Sequence, residues 1–207
     1  LEQRNFLMSL PSDTFCALAF VEACVSPRGG VRPCCTYSYD PKDQLGNIFE
    51  NGTINNSLQT ETYKNFRQDL LDGNKPKGCN RCWTDESKNI KSQRQLWNKS
   101  YKEDIDQLVS EGINKDTFVL KHIETGFGNL CNLSCKMCTP ISSSTFQSIM
   151  YPNDKVERIY FGGIEVWEGM DLSNLKYIKL IGGEPMMEPG HINLLEKLAK
   201  DTDTSNI

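Results

Sequence analysis

The spacing of apolar and polar positions changes character about halfway along the chain. In the first half the clearest pattern is helical. Tyr63, Phe66, Leu70 and Leu71 share one face over residues 60–71, and Gly73 is placed to end that helix. Further helices are expected over residues 86–97 and 102–110, the second stopping at Gly112. Upstream, residues 19–37 hold two β-prone runs around Ser-Pro-Arg-Gly-Gly, which reads as a β-hairpin whose turn Gly29 and Gly30 can supply. Beyond Gly112, residues 117–123 (TFVLKHI) and 176–181 (KYIKLI) read as strands. Residues 142–150 and 188–200 read as helices, the latter with Ile192, Leu195 and Leu198 on one face. Strand, helix, strand, helix predicts parallel β-α units and the α/β class. A boundary is expected near residue 113, separating a small α+β domain (1–112) from an α/β domain (113–207).

Composition narrows the class. The chain has 207 residues, 38% hydrophobic and 24% charged, with a formal charge of −4. This is a globular balance, and it points to no nucleic-acid partner. No apolar run is long enough to span a membrane. The N-terminus, LEQRNFLMSLPSD, has no leader pattern, and the chain begins with Leu, so it reads as a fragment with a cytoplasmic location expected. The sequons at Asn51, Asn55, Asn98 and Asn132 are then chance matches.

The cysteines change the picture most. There are nine of them and two histidines, His122 and His191. An odd count suits no pure disulfide framework, and any metal site must be dominated by thiolate, as in zinc or iron–sulfur proteins. Cys131, Cys135 and Cys138 lie in NLCNLSCKMCTP at C-x3-C-x2-C spacing, in the loop after the first α/β strand. Three thiolates can hold three irons of a [4Fe–4S] cubane and leave the fourth open; the alternative is a zinc site closed by a distant cysteine. Gly182-Gly183-Glu184-Pro185 follows the next strand. Its glycines allow close approach to a ligand, and its glutamate can accept from a cationic amine.

C-x3-C-x2-C after one strand with GGEP after the next resembles the radical S-adenosylmethionine (SAM) enzymes. The resemblance implies that Cys131, Cys135 and Cys138 ligate a [4Fe–4S] cluster whose open iron chelates SAM. It implies that Gly182, Gly183 and Glu184 line the SAM site. The position before the last cysteine, often aromatic in that family and set against adenine, is Met137 here. The implied reaction is reductive cleavage of SAM to methionine and a 5′-deoxyadenosyl radical that abstracts hydrogen from a substrate, a peptide or protein by analogy. A reductant protein such as a flavodoxin or ferredoxin is the implied partner.

Cys16, Gly30 and Cys35 fit C-x13-G-x4-C, and Cys79 and Cys82 add C-x2-C. Two separated pairs make a closed four-thiolate site, for an iron–sulfur cluster or for the zinc of a ribbon. The pattern resembles the auxiliary-cluster region called SPASM, or its shorter form, twitch, and implies a second, auxiliary [4Fe–4S] cluster. Here it precedes the catalytic region, whereas it usually follows. Cys35 is preferred by spacing, with Cys34 the alternative because adjacent strand residues face opposite ways. Cys24 is expected as a small buried hydrophobe; Arg94 is expected on the surface and Trp97 in the core, with packing of both over the auxiliary cluster as the alternative. The expected fold is a partial, TIM-like β/α barrel of the radical SAM type preceded by the cysteine-rich domain. A complete eight-unit barrel takes about 250 residues, so the barrel here is expected to be truncated, and the isolated chain to bind cluster poorly and turn over little. A non-catalytic zinc-binding interaction module is the competing function.

Overall fold

The computed structural model describes residues 10–156, 159–160 and 163–207. Residues 1–9, where no leader pattern was read, lie outside them. The chain enters through α1 (Leu18–Val21) and runs directly into the hairpin, β1 (Glu22–Val25) and β2 (Gly30–Arg32). Gly29 takes φ 77° in the turn, where a side chain would also strike Phe49 and Ile48. β3 (Gly46–Asn47) and four helices follow: α2 (Ile48–Asn51), α3 (Ile54–Leu58), α4 (Glu61–Leu71) and α5 (Asn80–Ser87). Next come α6 (Gln93–Ser100) and α7 (Lys102–Ser110). The second half supplies β4 (His122–Gly126), α8 (Ser144–Met150), β5 (Tyr177–Ile181) and α9 (Pro189–Asp201).

The five strands form one sheet in the order β3-β2-β1-β4-β5. β1 pairs antiparallel with β2, while β1, β4 and β5 run parallel. The parallel β-α units expected beyond residue 113 are therefore present, and their sheet continues across that position into the hairpin. Asp104 on α7 fastens the same junction. Its carboxylate lies 2.9 Å from the ammonium groups of both Lys121 and Lys176, which flank β4 and β5. Burial alone would raise this carboxyl, but the two lysine hydrogen bonds hold it below the usual range.

Local chemistry explains where the expected elements shift. Thr60 caps α4 by accepting from the Tyr63 amide at 3.2 Å. The single helix expected over residues 86–97 is two helices. Asn89 takes φ 58°, and Ser92 with Gln95 forms a reciprocal capping box that starts α6 afresh. The strand expected over residues 117–123 becomes regular only at His122. Before that point the chain bonds to the carbonyls of Phe20 and Val21, around α1, rather than to a strand.

The sheet has two unlike faces. One carries Ala23, Val25, Val31 and Ile123, all fully buried in the main core with Phe15, Phe20, Leu194 and Leu198. The other is polar. The parallel register aligns Glu22, His122 and Tyr177 in one row and Cys24, Glu124 and Lys179 in the next. His122 is 2% exposed and packed by Trp97 at 4.7 Å and Tyr177 at 4.4 Å between ring centres. Burial, with the Lys179 charge nearby, lowers its pKa to about 4. The unfolded value is near 6.5, so the His122 contribution to stability is complete above that pH and is lost as pH falls towards 4. Glu22, whose carboxyl burial pushes up, contributes with the opposite sign. The expected result is an imidazole that titrates near 4 by NMR. Relative to His122→Gln, the protein should lose roughly 2–3 kcal/mol between those limits. A His122 titration near 6.5 would contradict this.

Candidate metal centres

The triplet sits in the loop between β4 and α8, and its first cysteine is held by the hydroxyls that follow it. Ser143 caps α8, accepting from the Phe146 amide at 3.1 Å and donating to the Leu133 carbonyl at 2.9 Å. Ser144 accepts from the Cys131 amide at 3.1 Å, and Thr145 donates to the Cys131 carbonyl at 2.6 Å. The Leu133 amide donates to Cys131 Sγ at 3.3 Å. Asn129 closes the base of the loop. Its side chain accepts from the Ile159 amide at 3.0 Å and its carbonyl from the Ser144 amide at 2.8 Å. Cys131 is buried, Cys138 half-buried and Cys135 exposed, and Met137 is 94% exposed.

GGEP lies directly against this loop. β4 and β5 are parallel neighbours, and their pairing continues past the strand ends. The Gly183 amide donates to the Gly128 carbonyl at 3.3 Å, and the Glu184 amide to the Leu130 carbonyl at 2.8 Å. Both glycines are required by this approach. Gly182 takes φ 122°, and a side chain on Gly183 would collide with the backbone of Leu130 and Asn129. Glu184 accepts from the Met186 amide at 3.3 Å as a cap of the short turn after it.

Two residues that sequence reasoning passed over complete this junction. Glu188, 1% exposed, accepts from the Leu130 amide at 2.8 Å. Its carboxyl is raised by burial against the opposing pull of that amide. His191, fully buried, sets Nδ1 2.9 Å from the Pro185 carbonyl and Nε2 3.1 Å from the Thr125 carbonyl, bridging GGEP to β4. Their only sequence signal is a Glu-Pro at a helix start, which marks a boundary rather than a tether.

The second group lies where the hairpin meets the C-x2-C knuckle. Cys16, Cys34, Cys79 and Cys82 line one pocket with Tyr37 and Arg94. Gly78 lets the knuckle close on Tyr37: a side chain there would overlap the Tyr37 ring, and the Gly78 carbonyl accepts from the Ser38 amide at 2.9 Å. Burial is the main cause that raises the Cys16, Cys34 and Cys79 thiols, with neighbouring cysteines adding to it; Cys34 reaches about 12. Cys35 faces a different cavity, beside Glu124. Cys24 is fully buried.

Arg94, expected on the surface, is 7% exposed. Its guanidinium grips Glu86 at 3.0 and 2.8 Å and donates to the carbonyls of Asp13 and Phe15 at 3.0 and 2.8 Å. Two carbonyls and a carboxylate satisfy a buried guanidinium, and its charge opposes the upward push on Cys16 and Cys79. Trp97 is half-buried against His122.

Among the described residues no three His, Cys, Asp or Glu side chains are gathered closely enough to hold a metal ion. The cavity between the four cysteines is about 20 Å³, roughly one water. The donor set fits a thiolate-bound metal group, and the thiols must part to admit a cubane. Also among the described residues, no helix is long and apolar enough to cross a membrane.

Residues 16–83 match the sequence profile of the SPASM family, an iron-sulfur cluster-binding domain. That range contains Cys16, Cys34, Cys35, Cys79 and Cys82 and ends before the triplet. No curated protein and no solved structure matches the chain significantly.

Proposed function

We propose that the chain carries a radical SAM centre at Cys131, Cys135 and Cys138, with a closed auxiliary iron–sulfur site at Cys16, Cys34, Cys79 and Cys82. The carrying observation is the pair of amide bonds from Gly183 and Glu184 to Gly128 and Leu130. They join a three-cysteine loop to a glycine-glutamate turn at the carboxyl ends of neighbouring parallel strands, the end where such sheets bind ligands. Cys34 replaces Cys35 in this reading because it shares the pocket with the other three thiols. The SPASM likeness over residues 16–83 supports an iron–sulfur group there.

Bound at the triplet, a [4Fe–4S] cluster would supply the electron that cleaves SAM to methionine and a 5′-deoxyadenosyl radical. The chain's own residues do the holding. Ser143, Ser144 and Thr145 fix the Cys131 turn, while Gly182 and Gly183 keep the SAM edge free of side chains. Glu184 would exchange its contact with the Met186 amide for the SAM ammonium. Met137, exposed in the loop, is available to pack on adenine. The hydrogen donor is read as a peptide or protein, and the electron source as a flavodoxin or ferredoxin.

The small cavity between the four cysteines favours a single ion, so a zinc module is the competing reading. Anaerobic reconstitution separates the two. Filled sites correspond to about seven to eight irons per chain, as three- and four-cysteine ligation of cubanes requires, and a brown protein approaching that content supports the iron–sulfur reading. SAM should perturb the electron paramagnetic resonance signal of the reduced protein, and Cys135→Ala should abolish that perturbation while leaving the auxiliary signal. A colourless protein with two zincs sinks the proposal.

A further inference from the structure

The polar face of the sheet encloses a second cavity of about 80 Å³, separate from the cysteine pocket but sharing Cys34 as a wall. Glu22, His122 and Glu124 line it and are 1, 2 and 4% exposed. Glu124 is matched by the Lys179 ammonium at 3.2 Å. Glu22 makes no salt bridge of this kind, and the nearby charges of Lys179 and Arg32 only partly offset its burial. Its Oε2 is buried without a hydrogen bond, as are both ring nitrogens of His122, and Glu22 Oε2 lies 3.9 Å from His122 Nδ1. Arg32 does not fill the gap. Its guanidinium points to the Tyr37 carbonyl at 3.5 Å and Cys24 Sγ at 4.0 Å, and it stacks on the Tyr39 ring at 3.7 Å.

Buried polar atoms in folded proteins are nearly always bonded, and an unpartnered carboxylate is among the most unfavourable exceptions. Neutral His122 adds an acceptor nitrogen at the same place. Neither Glu22 Oε2 nor either ring nitrogen of His122 has a hydrogen-bond partner. The rings of Trp97 and Tyr177 complete the wall, and aromatic faces beside a carboxylate suit an organic cation. An anion would meet two carboxylates.

We propose that this cavity binds the head of an organic cation, a primary ammonium or a guanidinium, with Glu22 as counter-ion and His122 as second acceptor. The volume admits a head group rather than a whole amino acid, so the remainder of the ligand lies outside the cavity.

The test follows the His122 ring signals by NMR while the reduced 207-residue chain is titrated with propylammonium, methylguanidinium, propanol and propionate. At least one of the two cations is expected to shift His122 saturably, and propanol and propionate are not. Glu22→Gln, which keeps the shape of the side chain, should weaken the cation response by at least roughly tenfold, the loss expected when a buried charge-assisted bond is removed. N-acetyl-lysine amide distinguishes the source. Binding at least as tight as propylammonium identifies a peptide side chain, and weaker binding identifies a free amine; either supports the cation site. Propanol shifting His122 as strongly as the cations would overturn the proposal without recourse to any variant. So would an unchanged cation response in Glu22→Gln.

Discussion

Gly183→Ala is expected to separate the GGEP turn from the cysteine loop, lowering stability by roughly 2–3 kcal/mol and removing the SAM response that the proposed function predicts. The new methyl would fall on the Leu130 carbonyl, with the Asn129 carbonyl carbon 2.8 Å away. These are backbone atoms of the same ladder, so no side-chain rotation relieves the clash. The turn must move outward, and the amide bonds from Gly183 and Glu184 go with it. Each contributes about 1 kcal/mol net, and the overlap adds to that loss. The comparison variant is Met186→Ala, since Met186 is 64% exposed and its removal should be nearly neutral. Urea denaturation and the resonance signal of the reconstituted protein read both effects. A Gly183→Ala protein with unchanged midpoint and unchanged SAM response would show that the two loops do not act together.

Arg67→Met is expected to have the largest effect on folding, roughly 3–5 kcal/mol. Arg67 is fully buried on α4. Its guanidinium donates to the carbonyls of Ala19 and Leu58 at 3.0 Å and of Lys115 at 3.2 Å. It also lies over the Tyr63 and Phe118 rings at 4.7 and 5.2 Å. Burial lowers its pKa, and the nearby Tyr63 and Asp116 oppose that shift. Methionine fills much of the volume but leaves three carbonyls without donors, two of them bonded through buried contacts. Arg67→Lys should recover only part of the loss, because one ammonium cannot reach three carbonyls set around a planar fork. A loss below 1 kcal/mol for Arg67→Met in urea denaturation would mean that water replaces those bonds.

Much of this was legible in the residues. The hairpin, α4, α7, β5 and α9 follow from apolar period, caps and glycines, and the parallel units follow from their alternation. The break between α5 and α6 is set locally, by Asn89 at φ 58° and the Ser92 capping box, and neither Gly nor Pro marks it in the sequence. Spacing placed Cys35 with Cys16, Cys79 and Cys82, yet the turn after β2 presents Cys34 to their pocket and Cys35 to Glu124. Adjacent residues with one side chain chemistry differ only in direction, and direction is set by backbone dihedrals. Arg94 reads as a surface residue because charge predicts exposure, and only the carbonyls of Asp13 and Phe15, distant in sequence, make its burial tolerable.

The residues alone determined the chemistry on offer: three thiols beside Ser143, Ser144 and Thr145, four more in two pairs, and a glycine-rich turn ending in glutamate. Those follow from side-chain type and short spacing, which survive any fold. The tertiary structure decided which of them meet. It joined β1 to β4 across the middle of the chain and seated GGEP on the backbone of Gly128 and Leu130. It also left Glu22 and His122 facing each other without partners. Such pairings depend on sheet register and on contacts between residues far apart in sequence, and no local pattern encodes them.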